Sequence, residues 1–212
     1  SQPIAVTATD TAGNSGSASA TAAIDTTPPV PTIAVDAITP DNIINASESG
    51  TNVDVTGTVT GEFKDGDTVT LTVGGQKHTG TVDSAGHFSI SVPGSELAGA
   101  TSVHAAVATT DAAGNPGAAS LDHGYTVDAG APSVTVHAVA LTNDNTPDIT
   151  GTTDDPHATI AVSVGGHTYA ATNNGDGTWT LPGSAITNPL PDGKSQPIAV
   201  TATDTAGNSG SA

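Results

Sequence analysis

SQPIAVTATDTAGNSGSA stands at residues 1–18 and again, unchanged, at residues 195–212 of the 212-residue chain. Each copy contains the motif Asp-Thr-Ala-Gly-Asn, at Asp10–Asn14 and Asp204–Asn208, and a third version, Asp111-Ala-Ala-Gly-Asn115, lies between them. The middle motif divides the stretch between the two copies into two related units of roughly 100 residues. Such self-similarity is typical of an array of small modules. Such arrays supply length, spacing or valency more often than chemistry.

The sequence between the motifs has the period of β-strands. Val53–Thr60, Thr68–Val73 and Thr159–Val164 alternate branched apolar residues with small polar ones. Gly74-Gly75 and Gly165-Gly166 separate strands as tight hairpin turns do. About seven short strands in each unit predict an all-β chain of tandem immunoglobulin-like Greek-key β-sandwiches arranged end to end.

Two proline-containing segments predict the module boundaries. Asp25-Thr-Thr-Pro-Pro29 and Asp128-Ala-Gly-Ala-Pro132 each follow a final strand and precede a first one, so they indicate short, stiff joints. We predict that residues 1–25 are the last two strands of a truncated module and that residues 26–127 form a complete module. Residues 128–212 are predicted to form a second module that lacks its last strand. We hypothesise that the N-terminal segment of one chain completes this module in another by head-to-tail strand complementation.

The composition is strongly acidic and poor in aromatic residues. Twenty-one Asp and Glu face three Lys and Arg, which gives a net charge of −18. This charge excludes binding to nucleic acid or to an anionic membrane and favours divalent cations as partners. No cysteine is present to form a disulfide, and no run of residues is long and apolar enough for membrane insertion.

Several strings carry a resemblance to a known family. Bacterial Ig-like repeats from the extender region of giant repeats-in-toxin (RTX) biofilm and surface adhesins are similar to Ile44–Glu48, Val55–Gly61, Asp65–Leu71 and Thr109–Asn115. A sister class of the same repeats resembles Asn143–Pro147, Ile149–Thr152, Asp176–Trp179 and Val200–Asn208. The resemblance implies a structural segment, secreted to the bacterial cell surface, that projects a ligand-binding tip and binds Ca²⁺ where neighbouring Ig-like modules of the chain join.

The same resemblance supplies the candidate metal ligands. They are the acids of the motifs, joints and first loops, namely Asp10, Asp25, Asp41, Glu48, Asp111, Asp128, Asp144 and Asp204. The resemblance favours a group of Asp111, Asp128 and Asp144, and a second group in which Asp10 and Asp25 meet Asp41, Asn45 or Glu48. Ca²⁺ prefers six to eight oxygen ligands, which acids from facing modules and linker carbonyls would supply.

A simpler interpretation of the motif stays open at this point. Aspartate caps local backbone N–H groups and glycine adopts a positive φ, so Asp-x-Ala-Gly-Asn also predicts an ordinary turn. One strand separates each motif from the end of its module, which places the two at opposite poles of a sandwich. Spacing alone therefore does not predict a shared site.

Other functions are weaker alternatives. The seven histidines are scattered without the spacing of a zinc site, and the adjacent acids Asp154-Asp155 precede a proline and indicate a turn. No cleft-forming insertion or nucleophile motif is present, so we expect no enzyme. The alternative is an Ig-like binding or accessory module of a secreted protein, in which Trp179 contacts a glycan instead of anchoring the core.

Overall fold

A computed structural model describes residues 1–193 and 195–212 of the chain. By its internal contacts the chain divides into two compact units. The first consists of Ser1–Asp36, Val55–Ile90 and Val103–His123, and the second consists of Ala37–Asp54, Ser91–Ser102 and Gly124–Ala212. The joints predicted after residues 25 and 127 thus each fall inside one unit.

Strands form half of the structure and helices only 6%, which confirms the predicted all-β class. Up to residue 127 the elements are β1 Gln2–Thr9, β2 Ser15–Ala22, β3 Pro31–Val35, β4 Ile43–Ile44, α1 Ala46–Ser49, β5 Asn52–Gly61, β6 Thr68–Val73, β7 Gln76–Thr81, β8 His87–Pro93, α2 Gly94–Ala98, β9 Ser102–Thr110, β10 Pro116–Gly124 and β11 Thr126–Val127. They continue as β12 Val134–Val136, β13 Ile149–Thr153, β14 Thr159–Val164, β15 His167–Asn173, β16 Thr178–Leu181, a 3₁₀ helix at Gly183–Ala185, β17 Ile198–Thr203 and β18 Ser209–Ser211.

The first unit contains two sheets that pack against each other. One has the order β3-β5-β8 and the other has the order β10-β9-β6-β7. Alternate residues point inward, so that Val69, Leu71 and Val73 of β6 are buried while their neighbours face outward. Gly80 of β7 lies so close to Ile90 of β8 that an added Cβ would stand 2.7 Å from the Ile90 Cγ1, which marks the contact between the sheets.

Strands β1 and β2 form an antiparallel hairpin in the first unit. The register runs from Gln2↔Ala22 to Thr9↔Ser15. The apolar side chains of β1 face outward, because Ile4 is 53% and Val6 is 60% exposed.

The second unit is built on the sheet β12-β13-β16-β15-β14-β17-β18. Strand β15 joins its two halves, since it pairs with β14 along most of its length and with β16 at Thr172 and Asn173. The core packs around fully buried Trp179 and contains Val134, Ile149, Ala158, Ile160, Val162, Val164, Leu181, Ile186, Val200 and Ala202. The same unit holds α1, α2 and the short parallel ladder of β4 and β11.

Strand β18 pairs with β17 in the register Ala202↔Gly210. The identical residues of the β1–β2 hairpin pair as Ala8↔Gly16. The residues after Asn208 therefore form the same ladder as those after Asn14, over three residues in β18 and eight in β2. The module bounds predicted for residues 128–212 stay a prediction.

Candidate functional site

Three turns of one conformation connect the last two strands of each module. We call Asp10–Asn14, Asp111–Asn115 and Asp204–Asn208 the Asp–Asn loops. In each loop the aspartate Oδ1 accepts the backbone N–H of the asparagine at 2.8 Å. The asparagine Nδ2 donates to the aspartate Oδ2 at 2.8 or 2.9 Å. The glycine has φ between 87° and 94°, which a side chain would disfavour. The motif is therefore a turn, as the simpler interpretation predicted.

These bonds fix the charge of the loop carboxylates. The amide of Asn14 is the largest cause that lowers the pKa of Asp10, and the amide of Asn115 acts in the same way on Asp111. At Asp204 burial is the largest single influence and raises the pKa, but the hydrogen bonds from Asn208, Ala206 and Gly207 together outweigh it and the net shift is downward. All three carboxylates are consequently ionised at neutral pH.

The asparagine of the second loop also holds the linker that precedes its module. Asn115 Nδ2 donates to the backbone carbonyl of Asp25 at 3.1 Å, within the first unit. Two residues further on, Gly117 lies directly against the backbone carbonyl of Pro29, and a Cβ at this position would overlap that oxygen. Pro29 is buried. The hairpin of β9 and β10 is thus the surface on which the linker lies.

The third loop repeats this arrangement within the second unit. Asn208 Nδ2 donates to the carbonyl of Asp128 at 2.8 Å. Gly210 lies directly against the backbone carbonyl of Pro132, so that a Cβ at this position would overlap the oxygen. Pro132 is buried, as Pro29 is. Linker and hairpin therefore meet in the same way at both predicted joints.

Asn208 also contacts the N-terminus of helix α1. Its Oδ1 accepts the backbone N–H of Ala46 at 2.8 Å, and Asn45 Nδ2 donates to the carbonyl of Ala206 at 3.0 Å. Asn45 caps α1 in a capping box with Glu48. Asn208 is only 5% exposed, and both polar atoms of its side chain are hydrogen-bonded.

An open pocket of about 260 Å³ adjoins the first linker. Asp25, Asp111, Glu62 and Lys64 are among the residues that line it. Glu62 Oε2 accepts the backbone N–H of Val30 at 3.0 Å. Two predicted metal ligands, Asp25 and Asp111, thus line the same pocket, together with a third acid, Glu62.

Glu62 has a counterpart in the next module that the sequence analysis did not select. Asp154 Oδ1 accepts the backbone N–H of Ser133 at 2.7 Å, as Glu62 does for Val30. Glu62 follows β5 directly and Asp154 follows β13 directly. The signal was therefore an acid placed immediately after the strand that pairs with the first strand of each module. Asp154 had been interpreted only as part of a turn.

A comparison with family models now places the chain. The model described as "Bacterial Ig-like domain" matches residues 126–212. A bacterial immunoglobulin-like domain from the ice-binding adhesin of M. primoryensis is 46% identical over 48% of this chain and 99% of that domain, with a TM-score of 0.45. Residues 126–212 belong to the bacterial Ig-like domain family. Curated proteins give no match to the sequence.

Two longer solved structures resemble nearly the whole chain. The first is described as a Ca²⁺-stabilized adhesin that helps an Antarctic bacterium reach out and bind ice; it is 33% identical over 99% of this chain, with a TM-score of 0.64. The second, from work on host cell surface retention of a 1.5-MDa bacterial ice-binding adhesin, is 29% identical over 99% of the chain, also with a TM-score of 0.64. This Ig-like chain spans 54% of the first structure and 70% of the second. The likeness confirms the predicted immunoglobulin-like sandwich.

The described hydrogen bonds connect the loops of Asp111 and Asp204 each with a linker of its own unit. The loop of Asp111 binds the carbonyl of Asp25, and the grouping of Asp111 with Asp128 and Asp144 stays a prediction. The carbonyl of Asp128 is bound by the loop of Asp204. The loops of Asp111 and Asp204 thus both bind the linker that precedes their own module.

The remaining candidate ligands lie in local turns or, for Glu48, in helix α1. Asp41 Oδ1 accepts the Thr39 hydroxyl and the Ile43 N–H. Asp144 Oδ1 accepts the Thr146 N–H at 2.9 Å. Glu48 Oε2 accepts the N–H of Asn45 at 3.0 Å. Within residues 1–193 and 195–212 no three His, Asp or Glu side chains converge closely enough to hold a metal ion. The acids around the first pocket line it without forming such a cluster, because each is oriented by its own backbone bonds.

The alternative site around Trp179 is not a sugar platform. Trp179 is fully buried, and its Nε1 donates to the Thr135 carbonyl at 3.0 Å, so it anchors the core. In the part of the chain that the structure describes, no helix is long and apolar enough to cross a membrane.

Proposed function

We propose that this chain is a structural extender segment of a bacterial cell-surface adhesin, which projects a ligand-binding tip away from the cell. The observation that carries the proposal is the repeated docking of a linker onto the following hairpin, through Asn115 at one joint and Asn208 at the other. A chain that holds its linkers against its modules is suited to act as an extended spacer rather than to bind or convert a small molecule. The adhesins to which it is similar support an extracellular location.

We further propose that Ca²⁺ stiffens the joints. At each joint the ligands would be the linker acid, the loop acid and the acid after the strand that pairs with the first strand of the module. These are Asp25, Asp111 and Glu62 at the first joint, and Asp128, Asp204 and Asp154 at the second. Glu48 would be a further ligand beside Asn45. Asp10 would be the loop acid of its own module. Asp41 and Asp144 would be ligands from the first loops of their modules.

The chemistry of this donor set suits calcium better than a transition metal. Carboxylates are hard oxygen ligands, and backbone carbonyls and water would complete the six to eight oxygens that Ca²⁺ takes. A net charge of −18 attracts a divalent cation and gains from its neutralisation. Because the acids do not form a rigid cage, we expect the weak affinity of extracellular modules, with Kd of about 10⁻⁴ to 10⁻³ M.

Calorimetric titration with Ca²⁺, paired with thermal unfolding in calcium or excess chelator, tests this proposal. At 100 times Kd, each filled site stabilises the folded chain by about 2.7 kcal/mol, so chelation lowers the melting temperature. Asp25→Asn should weaken calcium binding at the first joint only, because Asp25 lies in the linker.

The loop of Asp83 provides the matched control. Asp83 Oδ1 accepts the N–H groups of Ala85 and His87 as the loop aspartates do. Asp111→Asn should lower calcium affinity, whereas Asp83→Asn should alter only its own turn. Calcium-independent melting of the unaltered chain, or equal affinity losses in Asp83→Asn and Asp111→Asn, would contradict the calcium part of the proposal.

A further inference from the structure

We infer that Asn115 with Gly117, and Asn208 with Gly210, form a latch that fixes each inter-module linker without a cation. We call these two pairs the linker latch. The inference deepens the proposed extender function and rests on it, but it assigns the positioning of the linker to an amide and a glycine instead of to the acids.

The amide of each latch joins two parts of the chain that are distant in sequence. Asn208 Nδ2 donates both to Asp204 Oδ2 at 2.9 Å and to the Asp128 carbonyl at 2.8 Å. Asn115 Nδ2 donates to Asp111 Oδ2 and to the Asp25 carbonyl, 90 residues earlier. An amide with two N–H groups satisfies both acceptors, which an aspartate at this position could not do.

The glycine of each latch admits the other end of the linker. A Cβ on Gly117 or Gly210 would overlap the carbonyl of Pro29 or Pro132. Both glycines have negative φ, so their backbone conformation does not require glycine. The close approach of the linker is therefore the physical reason for glycine at these positions.

Two other loops show that the turn itself does not need the latch residues. The loop from Asp83 to His87 makes the same backbone bonds, with His87 in place of the asparagine and Ser89 in place of the glycine. The loop of Asn14 has both latch residues, yet Gly16 has open space where Gly117 and Gly210 face a proline carbonyl. The turn therefore forms without these two residues, and contact with a linker distinguishes Asn115 and Asn208 from Asn14.

The second latch extends beyond the linker to helix α1. Asn208 Oδ1 accepts the N–H of Ala46, one of the backbone donors at the start of α1 that lack a partner within the helix. One buried side chain thus connects the Asp204 loop, the linker and α1. The bonds from Asn208 to the linker and to α1 use backbone atoms of those segments, so they do not depend on the carboxylate of Asp128.

Backbone NMR in excess chelator tests the latch directly. In the unaltered chain we expect slow exchange of the Ala46 amide and a rigid backbone at residues 129–131, with order parameters of about 0.85. Asn208→Ala should accelerate Ala46 exchange about tenfold, since a buried bond of ordinary strength is lost, and should lower the linker order parameters. Asn14→Ala changes the same residue in the same sequence string and should alter neither quantity.

Two further variants keep the test informative if Asn208→Ala unfolds the module. Asn208→Asp retains the acceptor for the Ala46 N–H but removes the donor to the Asp128 carbonyl. It should therefore lower the linker order parameters more than it accelerates the exchange of the Ala46 amide. Gly210→Ala should displace the linker, while Gly16→Ala should not. The latch is contradicted if both Asn208 variants leave the linker order parameters and the Ala46 exchange rate unchanged. It is also contradicted if these quantities change only while calcium is bound. Calcium-independent melting with these latch effects intact would contradict the calcium proposal alone.

Discussion

Asn208 donates its side-chain amide to the backbone carbonyl of Asp128, which lies 80 residues earlier in the chain, at 2.8 Å. The linker is therefore positioned by the last hairpin of the module that follows it, not by its own proline content alone. A linker of this kind becomes ordered only when that module has folded, because the β17–β18 hairpin must form before Asn208 can reach Asp128. Folding of each module and rigidity of the joint before it are thereby coupled.

The repeated sequence allows a matched test of the core. Val200 is 1% exposed and Val6 is 60% exposed, although both lie in the same 18-residue string. Val200→Ala should destabilise the folded chain by about 2 kcal/mol, because it removes buried carbon atoms and leaves a cavity. Val6→Ala should leave the unfolding free energy nearly unchanged. Denaturant unfolding of both variants measures the difference, and equal losses would show that the core assignment is wrong.

The fold was largely predictable because its signals are local. Period-2 strands, Gly-Gly hairpins and the Asp–Asn loops follow from a few neighbouring residues each, and the structure has strands and turns at these places. The partners of the loops were not predictable from these signals. The bond from Asn208 to Asp128 depends on the long-range topology of the sandwich, which spacing along the sequence does not reveal. Glu62 and Asp154 were missed for the same reason, since only the register of their strands brings them to the linker.

The asparagine of each loop should control the ionisation of its aspartate. The Asn115 amide is the largest cause that lowers the pKa of Asp111, so Asn115→Ala should move that pKa upward toward its ordinary value of 3.8. Because the pKa of the aspartate is lower in the folded state than in the unfolded state, its ionisation stabilises the fold at pH values above the unfolded-state pKa. This contribution is lost as the pH falls through the folded-state pKa. The loops should therefore loosen only below about pH 4. A carboxyl-carbon NMR titration of Asp111 in both proteins checks this, and an unchanged pKa in Asn115→Ala would contradict it.

Inter-module rigidity is the central claim, and a spin-label distance measurement tests it most directly. The chain has no cysteine, so Lys77→Cys and His167→Cys, at exposed positions in β7 and β15, provide unambiguous labelling sites. With millimolar Ca²⁺ we predict one narrow distance distribution, because the cation neutralises the joint acids and the latch holds the linker. In excess chelator the distribution should broaden, since repulsion between the carboxylates returns, but it should remain narrower than in Asn208→Ala under the same conditions. A distribution of equal width with and without calcium would contradict the calcium part of the account, and a distribution in chelator as broad as that of Asn208→Ala would contradict the latch.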